Sequence, residues 1–223
     1  GKREVNAAGR FISPSFIDGH VHIESTMVSP LEFAKVQVKN GVTAVIADPH
    51  EIANVCGTKG IQYMLDHTEG LPFDFYFMLP SCVPATQFEE AGALLNSEDL
   101  LPFYEQSRVL GLAEVMNSQA VFDGEPSMLE KLLDAQRKKR LIDGHAAGLN
   151  GNAIDVYMSA GIRTDHECTT MEEAKSRLEK GMYLMIREGT VAKDLRQIIG
   201  VVNEQNSRRC LFVTDDRHLD DVI

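Results

Sequence analysis

The feature that most constrains this chain is a regular alternation of short apolar runs with longer amphipathic ones. Strand candidates, most of them short runs of aliphatic, β-branched or aromatic residues, fall at positions 15–23, 42–48, 73–80, 109–115, 141–145, 163–166, 183–187 and 210–214. All are too short for an ordinary helix and most are almost continuous in hydrophobicity, which is how strands covered on both faces read. Between them, segments 30–39, 57–68, 96–106, 128–140, 150–160, 170–180 and 194–203 carry apolar residues at helical spacing. Their ends are punctuated as helices require. Asn40-Gly41 stops the first, Ser97-Glu98-Asp99 opens the third, and the basic turn from Arg137 to Arg140 suits the C-terminal dipole of the fourth.

Eight strands separated by seven helices predict an α/β chain with a (β/α)8 TIM-like barrel whose last helix is missing. A doubly wound open sheet is the alternative, but the Gly-rich phosphate turn it would carry is not found. Residues 1–10 are expected to be a linker or a remnant of an N-terminal β-domain, and 11–223 a barrel incomplete at its C-terminus. On that reading the chain is truncated, and the outer apolar face of strands 8 and 1 is left uncovered.

Composition excludes several classes. The formal net charge of -11 argues against a nucleic-acid binder, which needs a basic face, and no basic run suits an anionic membrane surface. Cys56, Cys82, Cys168 and Cys210 form no C-x-x-C pair, as in proteins of a reducing compartment. No apolar run reaches the roughly 20 residues of a membrane span and no signal-peptide core is seen, so a cytoplasmic location is expected.

The polar residues gather where the strands end. If the first strand runs through Ile23, His20 and His22 share one face, and two imidazoles so placed can chelate a divalent metal. Glu114 closes the fourth strand, His145 the fifth, His166 the sixth and Asp215 the eighth. Singly, each has a plain structural reading: a loop cap, a core histidine, a helix start. Jointly, four histidines and two carboxylates at one end of a barrel make the ligand set for two divalent metals bridged by a carboxylate. The loops at 49–56 and 81–93 add His50, Glu51, Ser81 and Cys82 to the same mouth. The absence of C-x-x-C excludes a cytidine-deaminase type of zinc site.

Taken together, stretches 14–24, 45–55, 78–86, 111–116, 143–151, 161–170, 182–190 and 210–218 resemble the amidohydrolase superfamily and, within it, the bacterial adenine deaminases. His20-Val21-His22 is general to the superfamily. Asp48-Pro49-His50-Glu51 and Pro80-Ser81-Cys82-Val83-Pro84 are narrower. The resemblance implies that His20, His22 and Asp215 hold one metal and His145 and His166 the other. Glu114 bridges them where many relatives use a carboxylated lysine. It implies manganese or iron, with zinc admitted by ligand type.

The implied reaction is hydrolysis of adenine to hypoxanthine and ammonia by a metal-activated hydroxide, a step of purine salvage. Asp215 would shuttle the proton and Glu24 would read the purine edge from the strand face it shares with His22. His50, Ser81, Glu167 and Asp216 are further candidates for substrate contact. A homo-oligomer is implied, with no nucleic acid and no membrane as partner. Two rivals stand beside this reading. One is another amidohydrolase, a cyclic amidase or an N-acetyl-sugar deacetylase, although an acid substrate would favour Arg near the first strand where this chain has Glu24. The other is a metal-binding fragment that is catalytically incomplete. His67 is read as a helix-surface residue.

Overall fold

Every apolar run becomes a strand in the computed structural model, which describes residues 2–86 and 88–221. Residues 1, 87, 222 and 223, which belong to the N-terminal segment, the long third loop and the C-terminal segment, lie outside the described residues. The strands are β1 (Phe16–Val21), β2 (Val42–Ala47), β3 (Asp74–Leu79), β4 (Val109–Val115), β5 (Leu141–Gly144), β6 (Thr164–Asp165), β7 (Tyr183–Arg187) and β8 (Cys210–Val213). β1 to β5 pair in sequence order as a five-stranded sheet, β6 to β8 as a three-stranded one, and every pair is parallel.

Backbone hydrogen bonds reach across both seams between these sheets. Val21 and Asp215 form a parallel bridge, with Asp215 N donating to His20 O at 2.9 Å. On the other side Arg163 N donates to Ile142 O at 3.3 Å, and Gly144 N donates to Thr164 Oγ1 at 2.9 Å. The result is the curled parallel sheet of a TIM-like fold. Because every strand runs the same way, all of their C-terminal ends arrive at one mouth.

Helices connect the strands: α1 (Pro30–Lys39), α2 (His50–Cys56), α3 (Thr58–Thr68), α4 (Ser97–Leu100), α5 (Ser118–Phe122), α6 (Pro126–Arg137), α7 (Asn152–Ser159), α8 (Met171–Lys180) and α9 (Leu195–Ile198). Two of the expected helices are shorter than their sequence pattern. The 96–106 segment stays α-helical only to Leu100 and tightens into a 3-10 turn at Leu101–Glu105, because Pro102 has no N–H to continue the ladder. The 194–203 segment breaks similarly after Ile198, next to Gly200. α2 and α5 occupy stretches that the sequence pattern left as loop. α8 begins as its sequence predicts, with a Thr170–Glu173 capping box, and ends on Gly181 at φ 90°.

The larger core lies between α1–α7 and the five-stranded sheet, around Phe33, Phe75, Phe77, Leu112 and Tyr157. A smaller one, of Cys168, Ala174, Leu184, Ile186 and Ile198, backs the three-stranded sheet. The expectation that strands are covered on both faces fails at the beginnings of β1 and β5 and within β8: Phe16, Ile17, Leu141 and Phe212 are each 61–67% exposed. Phe16 and Ile17 open β1 and Phe212 lies in β8, so β1 and β8 both carry exposed large apolar side chains. Gly111 lets β4 approach β5 closely, since a Cβ there would stand 2.1 Å from Leu141 O. No helix among the described residues is long and apolar enough to cross a membrane.

Candidate metal centre

β1 ends at Val21, one residue earlier than the period-two argument needs. His22 therefore sits just past the strand, pinned by its Nδ1 against Asp48 O at 3.0 Å. The two imidazoles still converge, edge to face with centroids 4.8 Å apart, and both are buried. Their Nε2 atoms approach Asp215 Oδ1, at 3.5 Å from His20 and 3.0 Å from His22.

Glu114 organises the remainder. Its buried carboxylate stands at the end of β4 with the two oxygens facing different partners. Oε1 is 3.7 Å from His20 Nε2 and 3.3 Å from His22 Nε2. Oε2 is 2.7 Å from His145 Nδ1 and 3.2 Å from His166 Nε2. Six residues at or just past the ends of β1, β4, β5, β6 and β8 thus face one another across a few ångströms.

Charge follows this packing. Burial alone would raise the Glu114 pKa, but the His166 charge and hydrogen bonds from His145, His166 and His22 hold it well below the usual carboxylate range. Burial likewise works against the His22 cation, yet hydrogen bonds to Asp215 and Glu114 outweigh it and raise its pKa strongly. For His166 the same contest, decided by Glu114, pushes the pKa up to about 9. Asp215 is driven down by His20 and His22 against its own burial.

A divalent cation fits this donor set. His20 Nε2 is buried without a hydrogen-bond partner, an orphan that a metal would satisfy. Ligand atoms of His20, His166 and Asp215 lie within 4.8 Å of one another, as do those of Glu114, His145 and His166. A further group adds Asp48 and His50 to His22 and Glu114.

Local structure explains the convergence. Asp18, buried in β1, accepts from Thr214 N at 3.1 Å and from Thr214 Oγ1 at 2.5 Å, fixing β8 against β1 just before Asp215. Asp215 itself turns off the strand in the left-handed region at φ 58°, where Asp is tolerated better than bulky residues. Asp165 accepts from Ala146 N and Glu167 N, each at 3.0 Å, and from Arg177 Nε at 2.9 Å. One buried ion pair thereby holds the backbone just after His145 and just after His166. Tyr157 Oη donates to Val115 O at 2.6 Å and accepts from His145 N at 2.9 Å, tying the end of β4 to that of β5.

The remaining sequence candidates are placed unevenly. Glu24 is not on a strand face with His22: the chain turns into a 3-10 helix, Glu24–Thr26, as soon as β1 ends. Its Oε1 accepts from Ile52 N at 3.2 Å while Oε2 is buried unpartnered, and burial followed by repulsion from Glu51 pushes its pKa up to about 7. His50 is half-buried on α2, with Nδ1 2.9 Å from Asp48 Oδ2 and 3.7 Å from Glu114 Oε1. Ser81 spends its hydroxyl on the backbone carbonyl of Glu114, so it props the carboxylate from behind. Glu167 reaches within 3.4 Å of His166 Nε2, and Asp216 is exposed and accepts from Ser25. His67 lies on the exposed face of α3, stacked on Tyr63, as its sequence position suggests.

Sequence reasoning missed Asp18, Asp48, Arg177 and Arg187. A charged residue inside an apolar run was the available signal for Asp18, and Arg187 closes the seventh run as visibly as Glu114 closes the fourth.

The model of the amidohydrolase family matches residues 11–217. The chain is 57% identical over 222 residues to an adenine deaminase of Geobacillus kaustophilus, covering all of this chain and 38% of that protein. It is 52% identical over 223 residues to the adenine deaminase of Bacillus subtilis, covering 39% of it, and 50% identical over 223 residues to that of Clostridium acetobutylicum, again 39%. The chain thus spans 38–39% of the length of these curated relatives. With its family model matched over nearly the whole chain, a curled parallel sheet and a mouth of histidines and carboxylates, this chain belongs to the amidohydrolase family.

Proposed function

We propose that the chain forms the metal-binding (β/α)8 unit of an adenine deaminase, which hydrolyses adenine to hypoxanthine and ammonia. One observation supports the reading: Glu114 Oε1 lies nearest His20 and His22, which also approach Asp215 Oδ1, while Oε2 lies nearest His145 and His166. The names of relatives 50–57% identical over this chain supply the substrate.

Two divalent metals, when bound, supply an activated water and positive charge beside the reacting carbon. The rest falls to side chains. Glu114 is already anionic, so it can serve both metals without further chemistry. Asp215 stands with Oδ1 toward His20 and His22, where it can receive a proton from the attacking water and pass it toward the departing amine. Glu24, with one buried oxygen free, is the acceptor for a purine N–H, its carboxylate held by the amide of Ile52 rather than by strand geometry. His50 rests on Asp48 at the edge of the same site and is a second candidate for substrate contact. Manganese or iron as the metals, purine salvage in the cytoplasm and a homo-oligomeric state belong to the same proposal.

The test is adenine turnover, followed as hypoxanthine and ammonia, on manganese-loaded protein. Release of both products, lost in a Glu24→Gln variant that still binds metal, supports the reading. Protein with two metals bound and no turnover of adenine, but with turnover of a cyclic amide or an N-acetyl sugar, would replace the substrate and keep the centre.

A further inference from the structure

β7 ends on Arg187, a guanidinium 7% exposed that has no role in the reading above. Its Nε donates to Asp194 Oδ2 at 3.0 Å. Its Nη1 is shared between Asp215 Oδ2, at 3.0 Å, and Glu167 Oε1 in a closer contact. The chain doubles back to make this possible: Asp194, at the start of α9, donates its own N–H to Arg187 O at 3.1 Å. One cation therefore holds three carboxylates, two of which, Asp215 and Glu167, also approach the histidines of the metal centre.

The consequences for each carboxylate differ. With Oδ2 of Asp215 taken by Arg187, Oδ1 is the oxygen left to face His20 and His22. Glu167 Oε1 lies only 3.4 Å from His166 Nε2 and 3.8 Å from His145 Nδ1, near enough to enter the ligand set of those imidazoles. The guanidinium holds that oxygen on its own side.

We propose that Arg187 is a positioning residue of the metal centre: it presents a single oxygen of Asp215 to His20 and His22, and it keeps Glu167 out of the ligand set formed by His145, His166 and Glu114. The inference rests on the binuclear reading of the site. A lysine cannot replace it, because one ammonium has no rigid fork with which to reach Asp194 and the Asp215–Glu167 pair together.

Manganese titration by calorimetry and by loss of the free-ion paramagnetic resonance signal tests this without reference to turnover. The comparison is between the parent chain and the Arg187→Lys and Asp194→Asn variants, with the folded fraction of each read by circular dichroism at the same temperature. Asp194→Asn is included because it leaves the guanidinium in place and weakens its anchor by removing the carboxylate charge. The proposal predicts two ions per parent chain and a 10- to 100-fold weaker affinity in both variants, about the effect of removing partners that orient metal ligands, with the folded fraction unchanged. Two ions bound by all three proteins with affinities within about twofold overturns the role of Arg187 and leaves the binuclear reading standing. Affinity lost only in proportion to the folded fraction overturns it as well. A parent chain that binds no manganese overturns the binuclear reading, and this inference with it.

Discussion

Replacing Arg177 by Met tests how the histidines of β5 and β6 are held. Arg177 is 1% exposed and Asp165 fully buried, so the substitution leaves a carboxylate without its counter-charge in the interior. Two bonds are lost, Nε to Asp165 Oδ2 at 2.9 Å and Nη2 to Ala146 O at 3.1 Å. Removing one partner of a buried pair costs roughly 3–5 kcal/mol. Two backbone amides, of Ala146 and Glu167, continue to solvate Asp165, which places the loss at the lower end, about 3 kcal/mol. For a chain of this size that is a fall in Tm of roughly 6–12 °C.

The sign with pH follows from the carboxylate. Burial would raise the Asp165 pKa, but the Glu167 amide and Arg177 hold it below its ordinary value. The stabilisation is therefore present above the unfolded value of 3.8 and is lost as pH falls through the depressed one. Scanning calorimetry at neutral and at acid pH should show the deficit of the Arg177→Met protein shrinking in acid. Adding Asp165→Asn, which removes the orphaned charge, should recover most of the loss. A single variant that melts within about 2 °C of the parent, or a double variant no better than the single, refutes the reasoning.

Glu114→Gln keeps the shape of the side chain but removes the shared charge, and should lower bound manganese from two ions per chain to one or none by elemental analysis, with little change in circular dichroism. Gly111→Ala should separate β4 from β5, since the new Cβ meets a backbone carbonyl that cannot rotate away, and should cost about 3 kcal/mol or more in urea unfolding. Glu173→Gln at the start of α8 removes the capping-box carboxylate. Burial opposes its ionisation, but the amides and hydroxyls of Thr169 and Thr170 together outweigh it and hold its pKa below the ordinary 4.5. Its contribution is present above that value and lost as pH falls through the depressed one. It is mostly solvent-exposed, so the variant should lose about 1 kcal/mol or less at pH 7 and nothing at pH 2.

Much of this was legible in the sequence because the signals are local. An apolar run such as 109–115 has only one comfortable conformation in a parallel sheet, and the strand appears with those bounds. The residues that close these runs are legible too, since parallel strands deliver their ends to one mouth without detailed knowledge of the loops. What failed depended on where the regular pattern stops. Glu24 was placed by extending a period of two beyond Val21, whereas Asp215 O accepts the His22 N–H at the seam and the chain turns away. α2 was hidden because Pro49-His50-Glu51 reads as a turn, although Pro just ahead of a helix and an acid in its first turn are also helix-start signals. Arg187 and Arg177 were hidden for another reason. Their meaning comes from carboxylates 7 to 28 residues away, and only the folded arrangement shows which of them are buried together.

The most direct measurement is a crystal structure of the manganese-loaded chain with anomalous scattering recorded at the metal edge. The account predicts two peaks about 3.5–4 Å apart on either side of Glu114. One should be bound by His20, His22 and Asp215 with Oε1, the other by His145 and His166 with Oε2. A single peak, or a pair that leaves Glu114 on one metal only and recruits Asp48 and His50 for the other, would contradict it.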